Sequence, residues 1–187
     1  SFTAAQNAST VLLNGYSNQT VDTGKLTVTG GIFNASTNGN TVQTMNNGSS
    51  GIGAVAISGG TFNGDINVIA GESQNNSNSV SISGTAVING DVINTTTTTV
   101  TIKDGAKVTG TVSNTGTGKV SVTNATIGSI AEGSIVYTNN AIITDGTTGT
   151  EGVASVNGEI FATLQGAINA AGTGDTVNLL DNIEVDG

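Results

Sequence analysis

Apolar and polar positions alternate in short runs along most of the chain, and the runs recur. LTVTGGIFN (26–34), VAISGGTFNGDINV (55–68), VSISGTAVINGDVIN (80–94), VTIKDGAKVTGTVSN (100–114) and VSVTNATIGSI (120–130) align with one another. Each opens apolar–x–apolar, bends through small or Gly residues, and re-enters on an apolar position. Most then pass a Gly into a second short run. Four columns emerge: Leu26, Val55, Val80, Val100, Val120; Val28, Ile57, Ile82, Ile102, Val122; Phe33, Phe62, Ile88, Val108, Ile127; and Ile66, Val92, Val112, Ile130. From Val28 onward the spacing is 29, 25, 20 and 20 residues.

A repeat of this length, made of short strands and Gly/Asn bends, is one coil of a solenoid. A single coil cannot bury its apolar positions. Coils stacked at the ~4.8 Å strand spacing turn each column into a continuous apolar ladder. The chain is therefore expected to be all-β, a parallel β-solenoid of about 20–25 residues per coil. An antiparallel sandwich would use similar strands and turns, but it does not require columns in register. Alternation places Thr, Ser and Asn outward. Two longer polar stretches, NASTNGNTVQTMNNGSSGIG from Asn34 and AGESQNNSNS from Ala70, read as loops bulging from one side. The absence of Pro fits strands that donate hydrogen bonds along a stack.

The pattern changes near residue 150, dividing the chain into a solenoid (1–150) and a capping or coil-completing segment (151–187). VASVNGEIF (153–161) predicts a hairpin turning at Asn157-Gly158. In ATLQGAINAAG (162–172), helical spacing relates Phe161, Leu164, Ala167, Ile168 and Ala171, with Thr163 as N-cap and Gly172 just past the end. GDTVNLLDNIEVDG (174–187) returns to strand.

Composition sharpens this picture. Val and Ile number 36 against 6 Leu, as a pleated surface favours. The chain has no Cys, His, Trp or Arg and four Lys, which excludes disulfide scaffolds, Cys/His zinc sites and His-based nucleophilic triads. A net charge of −9 argues against nucleic-acid binding, because nothing neutralises a phosphate backbone. No apolar run approaches the ~18 residues of a membrane span. No cofactor is expected. An acidic, Lys/Arg-poor, Thr/Asn/Gly-rich chain suits an extracellular or cell-surface location.

The stretch VNGEIFATLQGAINAAGTGDTVNLL resembles, over residues 157–180, the motif that opens pectate-lyase-like right-handed β-helices, a motif widespread in bacterial surface and adhesin-type proteins. The resemblance implies a right-handed coil and a short cap helix. It departs in one respect: the opening motif lies at the end of this sequence. TVLLN (10–14) also echoes TVNLLDN (176–182), as though one end continued the other. Two expectations follow. The chain is a piece of a longer surface protein, partnered by adjoining domains, or copies join head to tail as a homopolymer through their solenoid ends. The residues expected at such a joint are Val11, Leu12 and Leu13 at one end, and Phe161, Leu164, Ile168, Val177, Leu179 and Leu180 at the other.

Chemistry on this scaffold is sparse. Lyases of the resembled class use an Arg or Lys base, and here the lysines are scattered. A glycosidase needs two carboxylates across a sugar site. Asp65 and Asp91, in the matching strings NGDINV and NGDVIN, are the candidates, and they would stack about one strand spacing apart. That is tight for a retaining pair. They are also weak candidates for a bridging cation; the plainer reading is an exposed acidic ladder. The Thr95–Thr99 run reads as a solvated strand joining two coils rather than an ice-binding array, because neighbouring coils lack it. The expected function is a non-enzymatic structural subunit or adhesin module. The alternative is a glycan-binding module using the Asn-rich segments 38–47 and 72–78.

Overall fold

The computed structural model describes residues 1–3, 5–6, 8–15, 25–37, 39–46, 54–69, 79–131, 134–144 and 153–180; for 13–15 and 45–46 it describes the backbone alone. In chain order the strands are β1 (Phe2–Thr3), β2 (Val11–Gly15), β3 (Leu26–Asn34), β4 (Val42–Asn46), β5 (Val55–Asn63), β6 (Ile66–Val68), β7 (Ser79–Ile82), β8 (Val87–Ile88), β9 (Val92–Asn94), β10 (Thr99–Lys103), β11 (Lys107–Val108) and β12 (Thr111–Asn114). Then come β13 (Val120–Thr123), β14 (Thr126–Ile127), β15 (Ser129–Ile130), β16 (Val136–Asn139) and β17 (Ile142–Ile143). They form three parallel ladders, and successive coils add rungs to each. The molecule is a parallel β-solenoid.

The register reproduces the four sequence columns and lengthens them. On the first face Leu26, Val55, Val80, Val100, Val120 and Val136 are successive partners, as are Val28, Ile57, Ile82, Ile102, Val122 and Thr138. On the second, Phe2, Phe33, Phe62, Ile88 and Val108 follow one another, and Ile127 pairs with Ile143. On the third, Val11, Val42, Ile66, Val92, Val112 and Ile130 align. Nearly all of these side chains are buried in one continuous core, each Val, Ile or Phe contributing on the order of 1.5–3 kcal/mol.

Between the first and second faces the chain must turn sharply. β3 and β5 do so at Gly31 and Gly60, with φ of +108° and +101°. In later coils Gly84, Asp104, Asn124 and Asn140 hold the left-handed conformation that short polar side chains tolerate. A buried Ala follows at 86, 106, 125 and 141, small enough to sit inside the corner.

Several expectations need correction. The stretch from Asn34 is not simply a loop. It contains β4, the third-face strand of its coil, with Thr41, Val42 and Thr44 fully buried. Its polar appearance arises because two of those inward side chains are Thr. Residues 70–78 lie outside the described residues. Nor do Ser, Thr and Asn all face outward: Asn94, Thr96, Thr98, Asn114, Ser134 and Thr138 are buried. The Thr run is not a strand between 95 and 98 but a bend folded over Asn94, whose Oδ1 accepts from the Thr96 N–H (3.1 Å) and Oγ1 (2.8 Å).

The C-terminal segment comprises β18 (Ala154–Val156), β19 (Glu159–Phe161), α1 (Leu164–Ala170) and β20 (Val177–Leu179). Asn157 and Gly158 both have positive φ, as the tight hairpin turn demands. Thr163 caps α1, its hydroxyl accepting from the Gly166 N–H at 3.0 Å. Gly172 is not the left-handed terminator expected; the helix ends on an extended Ala171, and the left-handed residue is Gly174. The Gly172 N–H donates to Asp175 Oδ2 at 2.9 Å. That bond, then one from the Asn157 side chain, holds the Asp175 carboxyl below the usual range. The ionised form is thus favoured in the fold, and its contribution is present above the ordinary carboxylate range and lost as pH falls from there through the lowered value.

The pairing here is antiparallel. β19 joins β16 through Tyr137 and Phe161, and β18 pairs with both β19 and β20. Ala154, Val156, Phe161 and Ala167 make a second small core. The segment therefore closes the parallel ladder of its own first face. The echo between 10–14 and 176–182 is not a structural equivalence: β2 is a parallel third-face strand and β20 an antiparallel one, with 181–182 outside the described residues.

Candidate functional site

Asp65 and Asp91 do stack on neighbouring coils, just before the third-face strands. One carboxylate oxygen of each is committed within the stack. Asp65 Oδ1 accepts the Asp91 N–H, and Asp91 Oδ1 accepts the Thr111 N–H, both at 2.8 Å. Each carboxylate thus caps a backbone donor of the following coil. The glycine before each donor, Gly90 or Gly110, is needed for space: a Cβ there would collide with the accepting carboxylate. Among the described residues no group of three or more potential metal ligands gathers. Asp91→Ala is expected to cost about 1.5 kcal/mol, the worth of a charge-assisted hydrogen bond, by urea denaturation. Added Ca²⁺ should shift neither protein; a Ca²⁺-dependent gain in the parent alone would make the pair a cation site.

A polar ladder runs up an outer corner, where Asn63 Nδ2 donates to Asn34 Oδ1 and Asn89 Nδ2 to Asn63 Oδ1, both at 2.8 Å. A second is internal. Asn94 Nδ2 donates to Asn114 Oδ1 (3.0 Å) and to the Thr98 carbonyl (3.1 Å). Asn114 Nδ2 donates to the carbonyls of Gly118 (2.9 Å) and Ile135 (3.0 Å).

The residues expected at an assembly joint divide into three groups. Phe161 is buried against Tyr137 and serves the protein's own core. Val11, Leu164 and Val177 are half-buried, packed against the first or second core. Leu12, Ile168, Leu179 and Leu180 are exposed, Leu179 by 59%. The Leu13 side chain lies outside the described residues. Of the Asn-rich segments, 39–46 is largely β4 and its approach, and 72–78 lies outside the described residues.

One feature had no sequence signal. An open recess of about 300 Å³ lies where the first face meets the β18–β19 hairpin. Lys119, just before β13, reaches 40 residues ahead to Glu159 on β19, Nζ to Oε1 2.8 Å. Its ammonium sits 4.3 Å from the centroid of the Tyr137 ring. Ser121, Thr123, Thr138 and Asn139 complete the polar lining, and Ile160 is apolar. Strand alternation buries Val136 and Thr138 and so turns Tyr137 and Asn139 outward.

No family model matches the chain, and no curated protein and no solved structure matches it.

Proposed function

We propose that this chain is a non-enzymatic structural protein of an extracellular surface, a stiff stalk, adhesin module or filament subunit that self-associates through the ends of its solenoid. The observation that carries the reading is the exposed apolar end formed by Ile168, Leu179 and Leu180 beside β20, the last strand of its sheet among the described residues. A strand edge with apolar side chains is a template for pairing with another chain. At the far end the third ladder stops, among the described residues, at β2, which carries the exposed Leu12. The rod is stiffened by backbone hydrogen bonds and Asn ladders along its axis. The non-enzymatic part is supported by Asp65 and Asp91, whose carboxylates serve the stack. The resemblance of residues 157–180 to surface-protein β-helices supports the location.

The test is the particle mass of the untagged 187-residue chain by light scattering with negative-stain microscopy. Uniform threads or discrete oligomers are expected. Leu179→Asp combined with Leu180→Asp should reduce them to monomer while leaving the far-UV circular dichroism unchanged. A parent chain that is monomeric at all concentrations would overturn self-association.

A further inference from the structure

We infer that the recess between β13, β16 and the β18–β19 turn is a binding site for one neutral pyranose ring, with the outer face of Tyr137 as its platform. This goes beyond the structural role proposed above, and it places saccharide recognition away from the Asn-rich segments 38–47 and 72–78. The argument rests on size, chemistry and charge. At about 300 Å³ the open recess sits at the small end of ligand cavities (~300–1,000 Å³). Its lining mixes an aromatic ring with donors and acceptors in close alternation: the Lys119 ammonium donates, the Glu159 carboxylate accepts, and the Asn139 amide and Ser121 hydroxyl do both. Vicinal ring hydroxyls, each both donor and acceptor, match that set, and the apolar C–H face of a pyranose matches an aromatic face.

Charge selects against the other ligand classes. An anion meets a chain of net charge −9 whose one cation here is paired with Glu159. A cation would have to displace Lys119, a tethered group of the same charge with the advantage of its effective concentration. A neutral ring displaces Lys119 only from the face of Tyr137 and offers it hydroxyl oxygens in exchange. That movement is easy. Both Lys119 and Glu159 are nearly half exposed, so the ion pair is solvent-screened, and the cation–π contact lies at the surface. Phe161, buried behind Tyr137 at a centroid distance of 4.8 Å, keeps the platform fixed while the lysine moves.

The test is amide NMR of the whole chain titrated with methyl pyranosides of glucose, galactose, mannose and N-acetylglucosamine, and separately with a homo-oligosaccharide of each. At least one should give saturable shifts centred on Ser121, Tyr137, Asn139 and Gly158. Tighter binding of the oligosaccharide marks the recess as a subsite for a polymer end; equal binding marks a free sugar. Asn139→Ala, at an exposed position, should weaken binding roughly fivefold. No saturable shift at these amides with any of the sugars would overturn the inference, as would shifts that Asn139→Ala leaves unchanged. Neither result bears on particle mass, so the structural proposal stands or falls separately.

Discussion

Asn114→Leu should destabilise the protein by about 3 kcal/mol in urea denaturation, although it places a more apolar side chain of the same branched shape in a buried position. Area alone argues the other way, since a buried leucine stabilises by ~1.5–3 kcal/mol over an exposed one. Hydrogen bonding decides the sign. The Asn114 amide satisfies the carbonyls of Gly118 and Ile135 and accepts from Asn94. Leucine would leave all three without that partner, at ~1–3 kcal/mol each where water cannot reach. The side chain also fills the space a rescuing water would need. Asn94→Leu should couple to it, because the two amides bond each other; a double-mutant cycle should return an interaction energy of ~0.5–3 kcal/mol. A neutral or stabilised Asn114→Leu would mean that the bends after β9 and β12 are held by something other than the internal ladder.

That ladder also marks the limit of what the sequence disclosed. The apolar columns were legible because Val, Ile and Phe recur two residues apart within each coil and in the same order from coil to coil, even as the coil length falls from 29 to 20 residues. Both regularities are imposed by the geometry that buries them. Asn94 and Asn114 obey the same rule. They lie two positions after Val92 and Val112, 20 residues apart, and their amides hydrogen-bond each other across the coils. Taking polarity as a proxy for exposure turns them outward and misses this. Identical polar residues repeating at an inward phase of the alternation were the available signal. The same proxy hides β4, where Thr44 stands inward opposite Val68 of the next coil, with the buried Thr41 just before the strand.

The C-terminal segment was legible element by element, through Asn157-Gly158, Thr163 and the helical spacing after it. Its direction was not. Alternation has the same period in parallel and antiparallel strands, so nothing local separates a coil that continues from a hairpin that closes the face. The recess was illegible for a related reason. Lys119, Tyr137 and Glu159 carry no shared spacing, and only the antiparallel docking of β19 on β16 brings them together. The carboxylate ladder falls between these cases. The matching NGD strings placed Asp65 and Asp91 on successive coils, but the N–H groups that engage them follow from the backbone path around the corner.

The largest single loss is expected on the second face. Phe62 is completely buried, and its ring stacks on Phe33 at a centroid distance of 4.7 Å and an interplanar angle of 4°. Phe62→Ala removes the ring from between two rungs, Phe33 on one side and Ile88 on the other. It should cost about 4 kcal/mol, the transfer term plus the cavity left behind, with ring stacking inside that figure. Solenoid stability is close to a sum of coil-to-coil terms, so position along the stack sets the cost as much as residue type does. Phe33, with an aromatic ring on each side but slightly more exposed, should follow at about 3 kcal/mol. Phe2, 60% exposed and stacked on Phe33 alone at 5.2 Å, should cost about 1 kcal/mol or less when changed to Ala. Urea denaturation of the three variants, followed by far-UV circular dichroism, reads the gradient directly. Equal losses at Phe2 and Phe62 would mean that the coils do not contribute rung by rung, and that the first coil is held as firmly as the interior of the stack.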